Sequence, residues 1–287
     1  MLYLLTGHSA WDRTHYPFLL CKCKRGESVK NPFTHSCIML THDEQVHHYN
    51  KSKRRLKAKQ EQVGVEKYTD EKHKDWCDEK NYGITHYGVD PEHLRRDQIR
   101  LDTFHLKCAI TRLLLNDLRN FILNQSNKNI QLLKKVLSKF WNQFHLFVFV
   151  NNKPFSSFQG NELALFIVNI PVINEFIKTA FEETEVVRGI MRALTLWQSM
   201  FTFLGKTRLD DCGGSDGYRK MIESYISDAN EFLEIGAKSF LSDGTNIGAK
   251  ETFYVHALRN YIPVFAKMTL ERHGLGIGIF NMQGFER

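Results

Sequence analysis

Asp102 and His105 are the two residues whose types and spacing most directly suggest chemistry. They stand in the sequence DTFH, after the short Ile-Arg-Leu segment 99–101 and at the start of a strongly periodic helical stretch. A carboxylate at a strand end beside a helix N-terminus is well placed to hold a divalent cation. His105 lies one turn later on the same helix face. The position also suits an ordinary N-cap, for which aspartate is a preferred residue. Metal ligand and helix cap are both open for Asp102.

Glu286 is the second candidate carboxylate, in the C-terminal sequence QGFER. A glutamate that follows a glycine turn at the start of a helix could return to the same metal as Asp102. It could equally complement the helix dipole. Taken alone, the tail does not separate these two roles.

Cysteine and histidine residues near the N-terminus are candidate zinc ligands. Cys21 and Cys23, together with His47 and His48, could form a tetrahedral site of two thiolates and two imidazoles. The Cys-x-Cys spacing differs from the usual Cys-x-x-Cys knuckle, and nothing in the spacing sets the second pair. The alternative is free thiols in a reducing compartment and solvated histidines, since the six cysteines are sparse and irregularly spaced.

A basic run over residues 51–59 carries six positive charges in nine residues. Its members are Lys51, Lys53, Arg54, Arg55, Lys57 and Lys59. Such a run would bind phosphates in a salt-dependent way, and it could serve as a nuclear localisation signal. The alternative is a solvated helix whose charge is balanced by the acidic residues that follow it. DNA binding and solvation both remain open.

The elements that must position these residues are mostly helices. Helices are predicted over residues 42–60, 65–82, 104–123, 129–150, 161–179, 182–204, 218–239 and 250–258. The first is polar and charged and the second has weak helical character, whereas apolar spacing marks 104–123 and 129–150. Short strands are predicted over residues 1–6, 16–22, 36–40 and 99–101. Loops are predicted over 151–160 and 209–217, where glycine, aspartate, asparagine and serine accumulate. The glycine-rich sequence HGLGIG at 273–278 predicts a turn.

Composition excludes several classes of protein. With 287 residues, 42% apolar and 25% charged, the chain has ordinary globular usage, unlike a disordered chain, a collagen or a coiled coil. The apolar stretches 144–150 and 163–173 are shorter than the roughly 20 residues that cross a bilayer. No signal peptide is apparent at the N-terminus. We therefore expect no membrane partner and an intracellular location. The net charge of +7 permits a polyanionic partner.

The order of these motifs resembles a known family. A strand, Asp-x-x-His, a long helical region and Gln-Gly-x-Glu-Arg resemble the eukaryotic DDE transposases with an RNase H-like core. The closer likeness is to the neighbourhood of the Transib transposases and the V(D)J recombinase catalytic subunit. In that neighbourhood a Tyr-x-His motif and then a proline precede the glutamate. Here these are Tyr254 with His256, then Pro263, then Glu286.

The resemblance implies an α+β, mainly helical protein. A partial RNase H-like core would come from residues 1–110 and 264–287, with an all-α insertion over 111–263. The implied activity is metal-dependent cleavage and joining of DNA strands. Asp102 and Glu286 would hold Mg²⁺ or Mn²⁺, with His105 as a helper. The resemblance also implies that DNA would be the partner and that the protein would be located in the nucleus. A homodimer would be the assembly to test for. Zinc in the Cys/His-rich segment is also compatible with this family.

Three departures from the family pattern favour an incomplete or inactive chain. The first catalytic aspartate of the family should precede a segment like residues 2–7, and only Asp12 stands nearby. The chain ends just after Glu286. The second zinc-binding histidine of the recombinase-like relatives is replaced by Tyr261. The alternatives are a non-catalytic nucleic-acid-binding protein derived from a transposable element, and a helical interaction scaffold.

Overall fold

The computed structural model describes residues 20–24, 37–87, 102–124, 160–237 and 253–281. The chain divides into two compact units, Met1–Arg100 (unit 1) and Leu101–Arg287 (unit 2). The described part is mainly helical, as the sequence predicts. The domain boundary expected after residue 110 falls inside a helix, whereas the two units divide at residue 100.

The described part of unit 1 contains two helices and a short paired segment. The helices are α1 (His42–Val63) and α2 (Asp70–Lys80). Residues 20–24 and 37–40 pair in antiparallel orientation, and we call this pair the cysteine ribbon. The backbone N–H of Lys22 donates to the carbonyl of Ile38 over 2.9 Å.

The first turn of α1 is fixed by a capping box. The Glu44 backbone N–H donates to Thr41 Oγ1 (3.2 Å), and the Thr41 N–H donates to Glu44 Oε2 (2.9 Å). Two amide groups that the helix leaves unpaired are thereby satisfied. Leu40, which ends the cysteine ribbon, is buried in one apolar cluster with Tyr49 of α1 and Ile84. The ribbon and α1 therefore share a core.

Unit 2 is built from seven described α-helices and two short 3₁₀ helices. The α-helices are α3 (Thr103–Asn124), α4 (Gly160–Val168), α5 (Ile170–Ala180), α6 (Glu185–Phe203), α7 (Gly214–Ala237), α8 (Phe253–Asn260) and α9 (Ile262–His273). The 3₁₀ helices span Asp210–Cys212 and Ile277–Phe280. The predicted helix over residues 129–150 and the predicted strands at 1–6 and 99–101 lie outside the described residues.

Buried polar contacts join the helices of unit 2. Trp197 of α6 is fully buried, and its Nε1–H donates to Thr111 Oγ1 of α3 over 3.0 Å. The hydroxyl of Tyr225 in α7 donates to the carbonyl of Leu258 in α8 over 2.7 Å. Because a buried donor without a partner costs about 1–3 kcal/mol, these two bonds also specify how the helices pack.

Two helix boundaries differ from those predicted. The uninterrupted helix expected over residues 161–179 breaks at Asn169, because Pro171 cannot donate to the preceding turn and instead opens α5. The loop expected over residues 209–217 is shorter, since α7 begins at Gly214. Local composition indicated the loop, and the packed helix extends into it.

No extended strand occurs among the residues that the structure describes; their β-structure consists of isolated bridge residues. The RNase H-like core therefore stays a prediction. Within the same described ranges, no helix has the length and apolar character needed to cross a membrane.

Candidate metal centre and basic helix

The register of the cysteine ribbon places three cysteine side chains on one face. Cys21 forms an antiparallel bridge with Met39. Two residues further on, Cys23 therefore lies opposite Cys37. Side chains two apart on a strand share a face, and directly opposed residues bring their side chains close together. The Sγ atoms of Cys23 and Cys37 are accordingly 3.1 Å apart.

These three sulfurs form a compact group of potential ligands. The Sγ atoms of Cys21, Cys23 and Cys37 lie within 4.8 Å of one another, a spacing at which they could hold a metal ion. Cys21 and Cys23 are buried and Cys37 is half-buried. Hydrogen bonding with the other two thiols and burial raise the pKa of Cys37. Thiolates crowded in this way are unfavourable without a cation, because their charges repel one another.

The histidines predicted to complete this site lie elsewhere in unit 1. His48 Nδ1 is 2.7 Å from Asn81 Oδ1, and burial lowers the pKa of His48. The His47 ring meets the His48 ring edge to face at 5.2 Å. The sequence therefore named two of the three clustered cysteines and missed Cys37. Cys21 and Cys23 are two residues apart, as on one face of a strand, and Cys37 lies in the predicted strand 36–40. Pairing of these two segments was the signal that could have indicated Cys37.

Helix α1 divides its basic residues between two faces. On the inner side, Arg55 Cζ lies 4.3 Å and Lys51 Nζ 5.6 Å from the centre of the Trp76 ring of α2. A cation over an indole face is attracted by the ring quadrupole. Lys51 and Arg55 thus contribute to the packing of α1 on α2.

The outer side of α1 presents Lys53, Arg54 and Lys57 to solvent. Lys57 Nζ lies 4.0 Å from Glu61 Oε1, and both of these side chains are largely exposed. An exposed ion pair of this kind contributes little and is screened by salt. Lys59 donates to Gln62 Oε1 over 2.9 Å. The outward face therefore keeps a positive potential.

Asp102 caps α3 and contacts the histidine that the sequence paired with it. Asp102 Oδ1 accepts the Phe104 backbone N–H over 2.8 Å, and Oδ2 contacts His105 Nδ1. The cap interpretation is confirmed, and both carboxylate oxygens have local partners. Glu286 lies outside the described residues, so its distance from Asp102 stays a prediction.

Neither family models nor curated protein sequences match the chain.

Proposed function

We propose that unit 1 is a zinc-stabilised DNA-binding module of a transposase-like protein. The observation that carries the proposal is the arrangement of the basic residues on α1. Two of them pack on Trp76 and hold the helix, while Lys53, Arg54 and Lys57 face outward. A helix that is fixed on one side and basic on the other can present a preformed surface to phosphates.

Zinc is the metal that best fits the three cysteines. Thiolates are soft ligands and favour zinc over magnesium or manganese. Structural zinc is four-coordinate, so a histidine, a further thiolate or a water would complete the site. A divalent cation would also offset the repulsion among the three thiolates.

The cysteine ribbon that carries the metal ligands contacts the basic helix α1 directly. Lys22, between Cys21 and Cys23, forms an ion pair with Glu44 in the first turn of α1. Leu40, at the other end of the cysteine ribbon, packs on Tyr49 of α1. A zinc ion that fixes the ribbon would therefore help to fix the start of α1.

Replacing Lys53, Arg54 and Lys57 together with glutamine is expected to weaken DNA binding at physiological salt. Each phosphate contact contributes about 0.9 to the slope of log K against log salt, so loss of three contacts should flatten the slope by roughly 2.7. The measurement is fluorescence anisotropy of a labelled duplex between about 50 and 200 mM salt.

The matched control is the replacement of Lys178, Arg208 and Lys220 with glutamine. These residues are also exposed, have the same charge composition and belong to unit 2. If both triple variants flatten the slope equally, binding follows net charge and the outward face of α1 has no special role. An unchanged slope in the α1 variant alone would assign this face to solvent.

Metal-dependent strand cleavage and joining is the second candidate, carried by the Asp102–His105 pair. By resemblance, Asp102 and Glu286 would hold Mg²⁺ or Mn²⁺, and His105 would assist. The contacts of Asp102 weigh against this candidate, because a metal ion would compete with both the Phe104 amide and His105 for the carboxylate oxygens. A location in the nucleus accords with either candidate, and a helical scaffold without DNA is the remaining alternative.

The chain is expected not to nick supercoiled plasmid at a measurable rate with Mg²⁺ or Mn²⁺. Two-metal chemistry requires several carboxylates placed around ions about 3.5–4 Å apart, and Asp102 is occupied as a cap. Gel analysis of plasmid topology, with Asp102→Ala beside the unaltered chain, provides the measurement. Metal-dependent nicking that disappears in Asp102→Ala would establish the catalytic function and overturn the binding-only interpretation.

A further inference from the structure

We propose that Cys23 and Cys37 are a site of reversible oxidation, at which a small peroxide converts the two thiols of the cysteine ribbon into a disulfide. Both residues belong to unit 1 and are reduced in this structure. The disulfide itself requires no metal. Its effect on zinc rests on the proposed function.

The backbone of the cysteine ribbon places Cys23 and Cys37 at the spacing of a disulfide. Their chain neighbours Lys22 and Ile38 are joined by a backbone hydrogen bond of 2.9 Å. Hydrogen-bonded and non-hydrogen-bonded pairs alternate along an antiparallel ladder, so Cys23 and Cys37 are a non-hydrogen-bonded pair, with Cα atoms about 4.5 Å apart. A disulfide joins Cα atoms about 4.4–6.8 Å apart. It can therefore form without a change of register.

The two sulfur atoms are also close to each other. Cys23 Sγ and Cys37 Sγ are 3.1 Å apart. They need to approach by only about 1 Å to reach the length of a disulfide bond, which is about 2.05 Å. A tetrahedral zinc ion would hold two thiolates roughly 3.8 Å apart, at zinc–sulfur distances of about 2.3 Å. Small side-chain rotations thus suit either state, and one register permits both.

Exposure makes Cys37 the sulfur that an oxidant meets first. Cys37 is half-buried, whereas Cys21 and Cys23 are buried. The next residue, Ile38, is 60% exposed. A small peroxide can therefore reach Cys37, while Cys23 is shielded from solvent and held directly opposite. A sulfenic acid that forms beside a second thiol condenses with it to a disulfide.

The reaction balances with one peroxide for each disulfide. The Cys37 thiolate attacks a peroxide oxygen, the O–O bond breaks, and an alcohol or water leaves as Cys37 becomes a sulfenic acid. The Cys23 sulfur then attacks the Cys37 sulfur, the S–O bond breaks, and water leaves. The two cysteines together lose two electrons and two protons, which the peroxide accepts. Thiol–disulfide exchange with a dithiol reverses the change.

The disulfide would remove two of the three sulfurs from the proposed zinc site. Cys21 alone cannot hold structural zinc, which requires four ligands, so zinc should leave. The disulfide itself then joins the two strands covalently. We therefore expect the Lys22 and Leu40 amides, which donate across the ribbon, to keep their protection against hydrogen exchange in the oxidised chain.

The test is treatment of the folded full chain with hydrogen peroxide, followed by alkylation in denaturant and peptide mass spectrometry. The raised pKa of Cys37 slows the first step in the metal-free chain, so excess peroxide and a slightly alkaline buffer are used. We expect Cys23–Cys37 to be the main disulfide and dithiothreitol to remove it. No disulfide, or one that joins other cysteines in comparable amount, would overturn the proposal.

Two controls separate the geometry of the ribbon from general thiol reactivity. Cys21→Ser should still form the Cys23–Cys37 disulfide, because the opposed pair is intact. Cys212→Ser removes a half-buried cysteine of unit 2 and should leave the yield unchanged. In urea the same peroxide treatment should give no preferred pair. A preference for Cys23–Cys37 that persists in urea would show that the folded ribbon does not direct the reaction.

Metal analysis distinguishes failure of this inference from failure of the zinc proposal. Zinc is measured before oxidation, and an indicator should report about one equivalent of zinc released for each disulfide formed. A chain that contains no zinc but forms the Cys23–Cys37 disulfide would contradict the zinc proposal and support the oxidation site. A chain that keeps its zinc and forms no disulfide would contradict the oxidation site alone.

Discussion

Cys37→Ser is expected to open the cysteine ribbon. Among the described residues, the Lys22 and Leu40 amides donate across the ribbon. A two-stranded pair is marginal in water without further support, so we expect the proposed zinc to add substantially to the stability that packing on α1 provides. Structural zinc contributes about 10–16 kcal/mol in zinc-finger peptides. We expect protection of the Lys22 and Leu40 amides against hydrogen exchange, both of which donate across the ribbon, to fall at least about 100-fold.

Cys212→Ser is the matched control for this experiment. Cys212 is a half-buried free cysteine in unit 2, and its Sγ lies 3.5 Å from the Arg208 carbonyl. The substitution should leave exchange in the cysteine ribbon unchanged. A strong zinc chelator should reproduce the effect of Cys37→Ser on the unaltered chain. Full protection of Lys22 and Leu40 after metal removal would contradict a stabilising role for zinc.

Gly276→Ala is expected to destabilise unit 2 by about 3 kcal/mol or more, in the range of severe packing defects. A Cβ at position 276 would lie 2.2 Å from the Lys206 carbonyl oxygen and 3.3 Å from the Tyr218 ring. The segment cannot simply retreat, because the Gly276 N–H donates to the Thr207 carbonyl over 2.9 Å. The Ile277 N–H also donates to the Tyr218 hydroxyl over 2.7 Å. Urea denaturation followed by circular dichroism measures the free energy of unfolding.

Gly189→Ala is the control, and it is expected to change the free energy of unfolding in the opposite direction. Gly189 lies within α6, where a new Cβ would meet Ile235 Cγ2 at an ordinary 3.5 Å. Alanine is favoured over glycine in a helix interior by up to about 1 kcal/mol. Gly189→Ala should therefore stabilise unit 2 slightly. Equal destabilisation by both substitutions would mean that the backbone around Gly276 adapts and that the close approach is not required.

The sequence itself determined most helices of the described residues, because their signals are local, although α9 (Ile262–His273) was not predicted. The polar, charged stretch 42–60 was predicted as a helix within a few residues of the observed bounds of α1, and the Thr41–Glu44 capping box that begins α1 is likewise a local contact. Asp102 was recognised as a candidate cap for the same reason, since the cap and its amide are neighbours in the chain. The basic run was equally visible, as a count of charges over nine residues.

Tertiary structure alone decided which of these residues meet. The register of the cysteine ribbon brings Cys37 to Cys23, which the chain separates by fourteen residues. Packing on Trp76 of α2 turns Lys51 and Arg55 inward and leaves Lys53, Arg54 and Lys57 outside. Spacing along the chain indicates which residues share a helix face. It does not indicate which other segment of the chain packs against that face. Burial of the apolar residues determines which segments pack together, because the hydrophobic effect is collective and acts between segments far apart in sequence.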